Sequence, residues 1–310
     1  MKNKKNKVAL VTGNSGFVGR HLTRALLKQG ISVVGFDIRH MENQFIYSPV
    51  EFTQEIVNLC NLKELESSFE KLNNVDYIFH TVALQPLNNE MNIQDYLEIN
   101  FIGSSNLIRL CNKYNFKNII LSSSFSIYGE PQYLPIDEKH PTLPRNPYGI
   151  SKLLTEQLYE YYSRENDFRV TILRYDGIYG CGQTISGFVE YLTNEFSKNN
   201  PIELFHEGKQ VRDNVYVEDV VSSNLLAMEY NNKKAFSTFN IGGNEPKSSF
   251  EASETIKKEL NSDSKIIKSK KSSPMGYDIY LDNTRATTLL GYKPNSLKEN
   301  IKEMIQGVLL

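Results

Sequence analysis

Only three cysteines occur in 310 residues, at positions 60, 111 and 181. They are too few and too scattered for a disulfide framework or a zinc site, and a reducing compartment is the simplest setting. No metal site is expected. Charge of one sign is lacking as well: 35 Lys and Arg stand against 36 Asp and Glu, a formal net charge of −1. That balance leaves no electrostatic footprint for nucleic acid or an anionic membrane. Long hydrophobic runs are also missing. After the basic opening Met1–Lys7 come only Val8, Ala9, Leu10 and Val11. A signal peptide needs about 7–15 apolar residues and a membrane span about 20. No internal repeat, low-complexity run or Pro/Gly/Ser linker divides the chain. What remains is a globular protein, expected in the cytoplasm. A chain of this length buries roughly three quarters of its unfolded surface and needs no staples.

Short apolar runs alternate with helical patterns through the first half. The pattern predicts strands at Val8–Val11, Ser32–Phe36, Tyr77–Thr81, Asn118–Ser122 and Val170–Arg174. Between them, helices are expected over Phe17–Lys28, Leu62–Leu72, Asp95–Tyr114 and Tyr148–Glu165. This alternation argues an α/β fold, a doubly wound parallel sheet with helices on both faces. After about residue 175 the rhythm changes. Gly187–Lys198 and Glu218–Tyr230 read as helices and Ser237–Ile241 as a strand, followed by a Lys- and Ser-rich end. The expected organisation is a Rossmann-type domain over 1–175, with 213–243 returning to it. A smaller, partly interleaved C-terminal lobe takes 176–212 and 244–310.

Thr12-Gly13-Asn14-Ser15-Gly16-Phe17-Val18-Gly19 follows the first strand and opens a helix. Glycines at 13, 16 and 19 let the backbone turn tightly and approach a pyrophosphate, which the helix N-terminus attracts. The next strand ends in Asp37, where a carboxylate can accept both ribose hydroxyls of NAD and repel the 2′-phosphate of NADP. Arg39 and His40 follow closely and soften that preference. A glycine triplet alone is a weak signal; strand, helix and acidic strand end in the right order make it a dinucleotide site.

A second signal is Tyr148-Gly149-Ile150-Ser151-Lys152. Asn146 can cap a helix whose first residue is Pro147, and four residues put Tyr148 and Lys152 on one face. A tyrosine base at neutral pH needs its phenolate stabilised by about 3 pKa units, roughly 4 kcal/mol. Lys152 could contribute, though Tyr/Lys pairs also occur on plain helix surfaces. Ser122-Ser123-Ser124 ends a predicted strand of the same sheet, where a hydroxyl could share a substrate proton or simply begin a turn.

Taken in order, these motifs resemble the extended short-chain dehydrogenase/reductase family, in its nucleotide-sugar epimerase/dehydratase branch. The likeness extends to His80-Thr81-Val82-Ala83, Asn100-Phe101-Ile102-Gly103, Ile127-Tyr128-Gly129 and Leu173-Arg174 through Tyr179-Gly180. It continues over Gln210-Val211-Arg212-Asp213, Tyr216-Val217-Glu218-Asp219 and Asn240-Ile241-Gly242-Gly243. The resemblance implies a catalytic triad of Ser124, Tyr148 and Lys152. It implies cofactor contacts from Gly13, Asn14, Ser15, Gly16, Phe17, Val18, Gly19, Asp37, Asn58, Leu59, Val82, Ala83 and Asn100, with Tyr148 and Lys152. Gln85, Ser124, Phe125, Ser126, Gly177 and Arg212 are the implied substrate contacts. The cofactor would be NAD, with NADP the lesser candidate, the substrate a nucleotide sugar, and the assembly a homodimer.

Departures from the family pattern shape the expected reaction. Dehydratases carry Asp-Glu after the triad hydroxyl, whereas Phe125 and Ser126 stand here and neither moves a proton. An epimerase, acting at C4 through a transient keto sugar, is the first expectation. An NAD(P)H-dependent reductase of a keto sugar is the alternative, ahead of a non-nucleotide alcohol dehydrogenase or a non-catalytic sensor. Gly177 stands where the family often has an asparagine that touches the substrate, Asn58 where it has an aspartate, and Cys181 where it has a proline. The second diphosphate-binding arginine of epimerases is missing from 266–284, leaving Arg212 as the clamp or as a structural partner of Asp213 or Asp219. His80 and Cys181 read as packing residues.

Overall fold

The computed structural model describes residues 7–41, 50–86, 92–183, 187–230, 235–272 and 276–308, so most of the basic opening segment lies outside it. The elements follow in chain order. The first are β1 Val8–Thr12, α1 Phe17–Lys28, β2 Ser32–Asp37, β3 Phe52–Ile56, α2 Leu62–Glu70 and β4 Tyr77–His80. Then come α3 Ile93–Tyr96, a π-helical segment Leu97–Ile102, α4 Gly103–Lys113, β5 Asn118–Ser124, α5 Pro147–Glu165 and β6 Arg169–Tyr175. The second half holds β7 Ile178–Tyr179, α6 Phe188–Ser197, β8 Ile202–Leu204, β9 Val211–Arg212, β10 Val215–Tyr216 and α7 Val217–Glu229. It closes with β11 Phe236–Ile241, β12 Lys247–Ser248, α8 Ser249–Glu259, β13 Ile266–Lys268, α9 Thr284–Leu290 and α10 Leu297–Val308.

The chain divides into two compact units. The first takes residues up to Gly129, Thr142–Arg174 and Ser223–Phe239; the second takes Glu130–Pro141, Tyr175–Ser222 and Asn240 onward. A seven-stranded sheet in the order β3-β2-β1-β4-β5-β6-β11 is the frame of the first unit. Its strands from β3 to β5 pair in parallel register. The order reverses between β1 and β4, the switch point of a Rossmann sheet, where a crevice opens at the carboxyl ends of the strands. Leu10, Ile78, Ile119, Leu121 and Ile172 from the strands bury against Leu65, Phe69, Leu107, Ile108 and Tyr159 from the helices.

Two elements differ from the sequence expectation. β3 was not anticipated, because Phe52-Thr53-Gln54-Glu55-Ile56 is half polar, as suits the sheet's edge strand. The expected continuous helix over 95–114 is interrupted by the π-helical segment. There the Asn100 carbonyl accepts the hydroxyls of Ser104 and Thr155. Such wide turns gather at functional sites.

The second unit is built from small pieces. β7 pairs with β10, β9 with β12 and β8 with β13.

Candidate active site

The phosphate-binding turn sits at the switch point. Gly13 holds φ +78°, a left-handed conformation that glycine adopts without strain, and a side chain there would press on Thr81 and Val82. A Cβ on Gly19 would lie 1.9 Å from the Gly13 carbonyl oxygen, so α1 can approach the turn this closely only with glycine. The N-cap of α1, Gly16, places no side chain on the first helical N–H groups, and no acidic residue stands in the first turn. That bare positive end suits a pyrophosphate.

Asp37 ends β2 beside this turn. Its carboxylate accepts the backbone N–H of Ser15 at 3.0 Å and of Arg39 at 3.1 Å. The Ser15 hydroxyl and the Gln54 amide both donate to the Arg39 carbonyl, fixing the loop behind the carboxylate. Asn14 is fully buried and tucks its amide under Gly35, so only its backbone faces the turn. Val82 and Ala83 follow β4, next to Gly13. Asn58 and Leu59 follow β3: the Asn58 side chain accepts the Cys60 N–H on Oδ1, while Leu59 is buried. Glycine cradle, uncapped helix and ribose-side carboxylate together fit a dinucleotide.

Farther along the carboxyl edge, β5 delivers Ser124 and α5 delivers Tyr148 and Lys152. As the sequence predicts, Asn146 caps α5 by accepting the Gly149 N–H at 2.7 Å, with Pro147 at the first turn. Gly149 is required, since a Cβ would lie 2.4 Å from the Ser126 carbonyl oxygen. The side chains of Ser124 and Gln85 lie beside the Tyr148 hydroxyl. Burial pushes its pKa up to about 12, against the pull of those two partners. Lys152 is buried, donates to the Ser122 carbonyl, and is pushed down to about 8 by burial, against the opposing charge of Glu156. In the free protein Tyr148 is therefore a neutral phenol at pH 7. Ser124 also receives the Ser126 N–H at 3.2 Å.

Behind this cluster runs a buried polar scaffold. Asn100 accepts the Leu84 N–H at 2.6 Å and donates to the Ser151 hydroxyl at 2.9 Å, and Ser151 in turn donates to the Tyr148 carbonyl. Asn100 thus steadies both the segment carrying Gln85 and the turn carrying Tyr148. His80 lies 2.7 Å from the Thr12 hydroxyl through Nδ1 and 2.7 Å from the Ser104 hydroxyl through Nε2. Ser104 spends its proton on the Asn100 carbonyl, so His80 carries its hydrogen on Nε2 and accepts from Thr12. Burial, then the nearby Lys152, push its pKa down to about 3, and the ring stays neutral.

Gly177 and Arg212 belong to the second unit. A Cβ on Gly177 would lie 2.7 Å from the Asn214 Oδ1, so the Asn214 amide fills the space that a side chain at 177 would take. Arg212 donates to the carbonyls of Val211 and Tyr277. Asp213 accepts the N–H groups of Asn244 and Glu245, and Asp219 accepts that of Asn295, so both aspartates have backbone partners of their own. Sequence reasoning missed Asp176. It is buried, takes the Gly177 N–H on Oδ1 at 2.6 Å, and leaves Oδ2 without a partner. Burial and the neighbouring Asp213 raise its pKa to about 8, opposed by the Gly177 N–H and Arg212. A carboxylate placed directly after a buried strand was the available signal. Among the described residues no cluster of His, Cys, Asp and Glu could hold a metal ion.

Sheet order and glycine turn define a Rossmann-type dinucleotide-binding protein. Residues 9–242 match the NAD dependent epimerase/dehydratase family. The chain is 34% identical over 304 residues to a putative UDP-glucose 4-epimerase of Methanocaldococcus jannaschii, covering 96% of each. It is 28% identical over 314 residues to the UDP-glucose 4-epimerase of Lactobacillus helveticus, covering 96% of this chain and 94% of that one. The crystal structure of Thermotoga maritima UDP-glucose 4-epimerase with UDP-glucose superposes with a TM-score of 0.84 at 29% identity, covering 98% of this chain and 100% of the other. This protein belongs to the NAD dependent epimerase/dehydratase family, and NAD is its cofactor.

Proposed function

We propose that the protein interconverts C4 epimers of a nucleotide-diphosphate sugar through a transient 4-keto sugar. The observation that carries this reading is the placing of Tyr148 beside the Ser124 hydroxyl, with Phe125 and Ser126 following it. It places a proton acceptor at a hydroxyl while offering no acid–base pair for dehydration. The named relatives act in the same sense.

Bound NAD supplies the reversible hydride acceptor and a positively charged ring. Tyr148 takes the proton of the sugar hydroxyl at its phenolic oxygen and later returns it. Ser124 holds the same sugar oxygen by a hydrogen bond, and Gln85 orients the phenol. Lys152 holds the cofactor ribose and lends its charge to the phenolate. Asp37 takes the adenosine ribose hydroxyls, and the 13–19 turn takes the pyrophosphate. Arg212 binds the substrate diphosphate.

A second reading, reduction of a keto sugar, uses the same residues with Tyr148 as the proton donor. Incubation of the purified protein with UDP-glucose, UDP-galactose and other sugar nucleotides, without added cofactor, followed by NMR, separates the two. Epimer formation supports our reading; conversion of keto sugars alone, with NAD(P)H consumed in equal amount, selects the reductase.

A homodimer in the cytoplasm accompanies this reading. On α4 and α5, Leu107, Ile108, Leu110 and Tyr159 are buried in the protein's own core, and Leu158 and Tyr162 pack against it, so they do not serve a dimer face. Ile102 and Tyr161, 45% and 52% exposed, remain to support an isologous contact. Balanced charge and the scattered cysteines support the compartment. No helix among the described residues is long and apolar enough to cross a membrane.

A further inference from the structure

Two cations face each other in the second unit. Arg212 on β9 and Lys247 on β12 are direct partners in a two-stranded antiparallel ladder. Opposed ladder positions hold their side chains on one face with Cβ atoms about 5 Å apart, and like charges so placed weaken the pairing. Carboxylates stand by each cation, Glu245 by Lys247 and Asp176 and Asp278 by Arg212, and a bound anion would add to them. Both cations line one cavity, together with Asn214, Gly243, Glu245 and Ser249.

The cavity is dressed for an anion in other ways. The Asn214 amide makes no hydrogen bond among the described residues and lies where Gly177 has left room. Gly243 brings the backbone close, since a Cβ there would lie 2.4 Å from the Asn214 carbonyl oxygen. Lys247 is held in the free protein by Glu245, with Nζ 2.8 Å from its carboxylate, on a part-exposed pair that costs little to open. The other Glu245 oxygen accepts the Leu297 N–H at 2.9 Å, so the carboxylate has an anchor when Lys247 leaves.

We propose that Lys247 and Arg212, as facing residues of the β9–β12 ladder, grip the diphosphate of the substrate, with Lys247 supplying the second cation absent from 266–284. Asn214 lines the same cavity. This rests on the nucleotide-sugar reading above and names a specificity-determining residue for it. Lys247 exchanges its Glu245 partner for phosphate oxygens, so the carboxylate acts as a competitor that weak anions do not displace. A point charge in place of a forked guanidinium grips without fixing the diphosphate geometry.

The test is calorimetric titration of inorganic pyrophosphate into the NAD-saturated protein, so that the cofactor's own phosphate site is filled, alongside KM and kcat for UDP-glucose. Lys247→Gln should weaken pyrophosphate binding roughly tenfold, the scale of one charged hydrogen bond, and raise KM with kcat little changed. Lys247→Arg should restore both, which a merely structural lysine would not predict. Unchanged pyrophosphate affinity in Lys247→Gln, or no binding by the wild type, overturns the assignment. If pyrophosphate binds through Lys247 but no sugar nucleotide turns over, the epimerase reading fails and this one stands. If UDP-glucose turns over with the same KM in wild type and Lys247→Gln, the reverse holds.

Discussion

Glu156 is held at two points by Arg174: Nε lies 3.1 Å and 3.2 Å from its two oxygens, and Nη2 lies 2.6 Å from one of them. Both are buried, and Nη1 of the same arginine donates to the Tyr128 hydroxyl at 2.8 Å. This pair ties α5 to β6 and to the segment after Ser124, one helical turn beyond Lys152. Glu156→Gln strands the arginine charge in the interior and should cost about 3–5 kcal/mol in urea unfolding. It should also lower the Lys152 pKa further, because the carboxylate is the charge opposing its desolvation.

Tyr148→Phe removes the proton-accepting oxygen and nothing else. Turnover should fall by roughly a hundredfold or more. Affinity for UDP-glucose should stay within a few-fold. Steady-state kinetics with direct binding checks both; activity above about a tenth of wild type removes Tyr148 as the base.

If Asp37 takes the adenosine ribose as proposed, Asp37→Ala takes away that acceptor and a charge that repels a 2′-phosphate. NAD binding should weaken and the preference over NADP should narrow, as read by fluorescence titration of both cofactors. Equal affinity of the wild type for the two would contradict the role given to this carboxylate.

The Asp176 carboxyl titrates at about 8 in the fold against 3.8 ordinarily, raised by burial first and Asp213 second. Between those values the folded state holds more protons than the unfolded chain, so stability falls as pH rises through that window. Asp176→Asn removes this slope. The variant should match wild type near pH 4 and melt a few degrees higher at pH 8.5. A Tm difference independent of pH would show that Asp176 is ionised throughout.

Much of the frame and of the first unit's site could be read locally. Gly13 to Gly19, the Asn146 cap and the Tyr148–Lys152 spacing are short-range chemistry, visible in a few consecutive residues. What escaped depends on neighbours distant in sequence. β3 is half polar, and only pairing with β2 makes it a strand. The π-helical turn coincides with the Asn100 carbonyl that Ser104 and Thr155 share, and Thr155 is 55 residues away. Lys247 stands in an unremarkable Lys-Ser-Ser stretch and gains meaning only opposite Arg212. Helix periodicity alone does not say that Leu107, Ile108 and Leu110 all bury in the core, because it does not say how deep a sheet groove is.

The wide turn at Leu97–Ile102 also sets how this stretch can change in length. A π-turn spends one more residue on about the same rotation as an α-turn, so losing one residue there would restore an ordinary α-helix with the faces on either side still in register. The change would fall on Asn100, whose carboxamide meets Leu84 and Ser151 and whose carbonyl meets Ser104 and Thr155. A chain shortened by one residue in this turn should therefore keep its fold and lose the tie between the Gln85 segment and the helix that carries Tyr148.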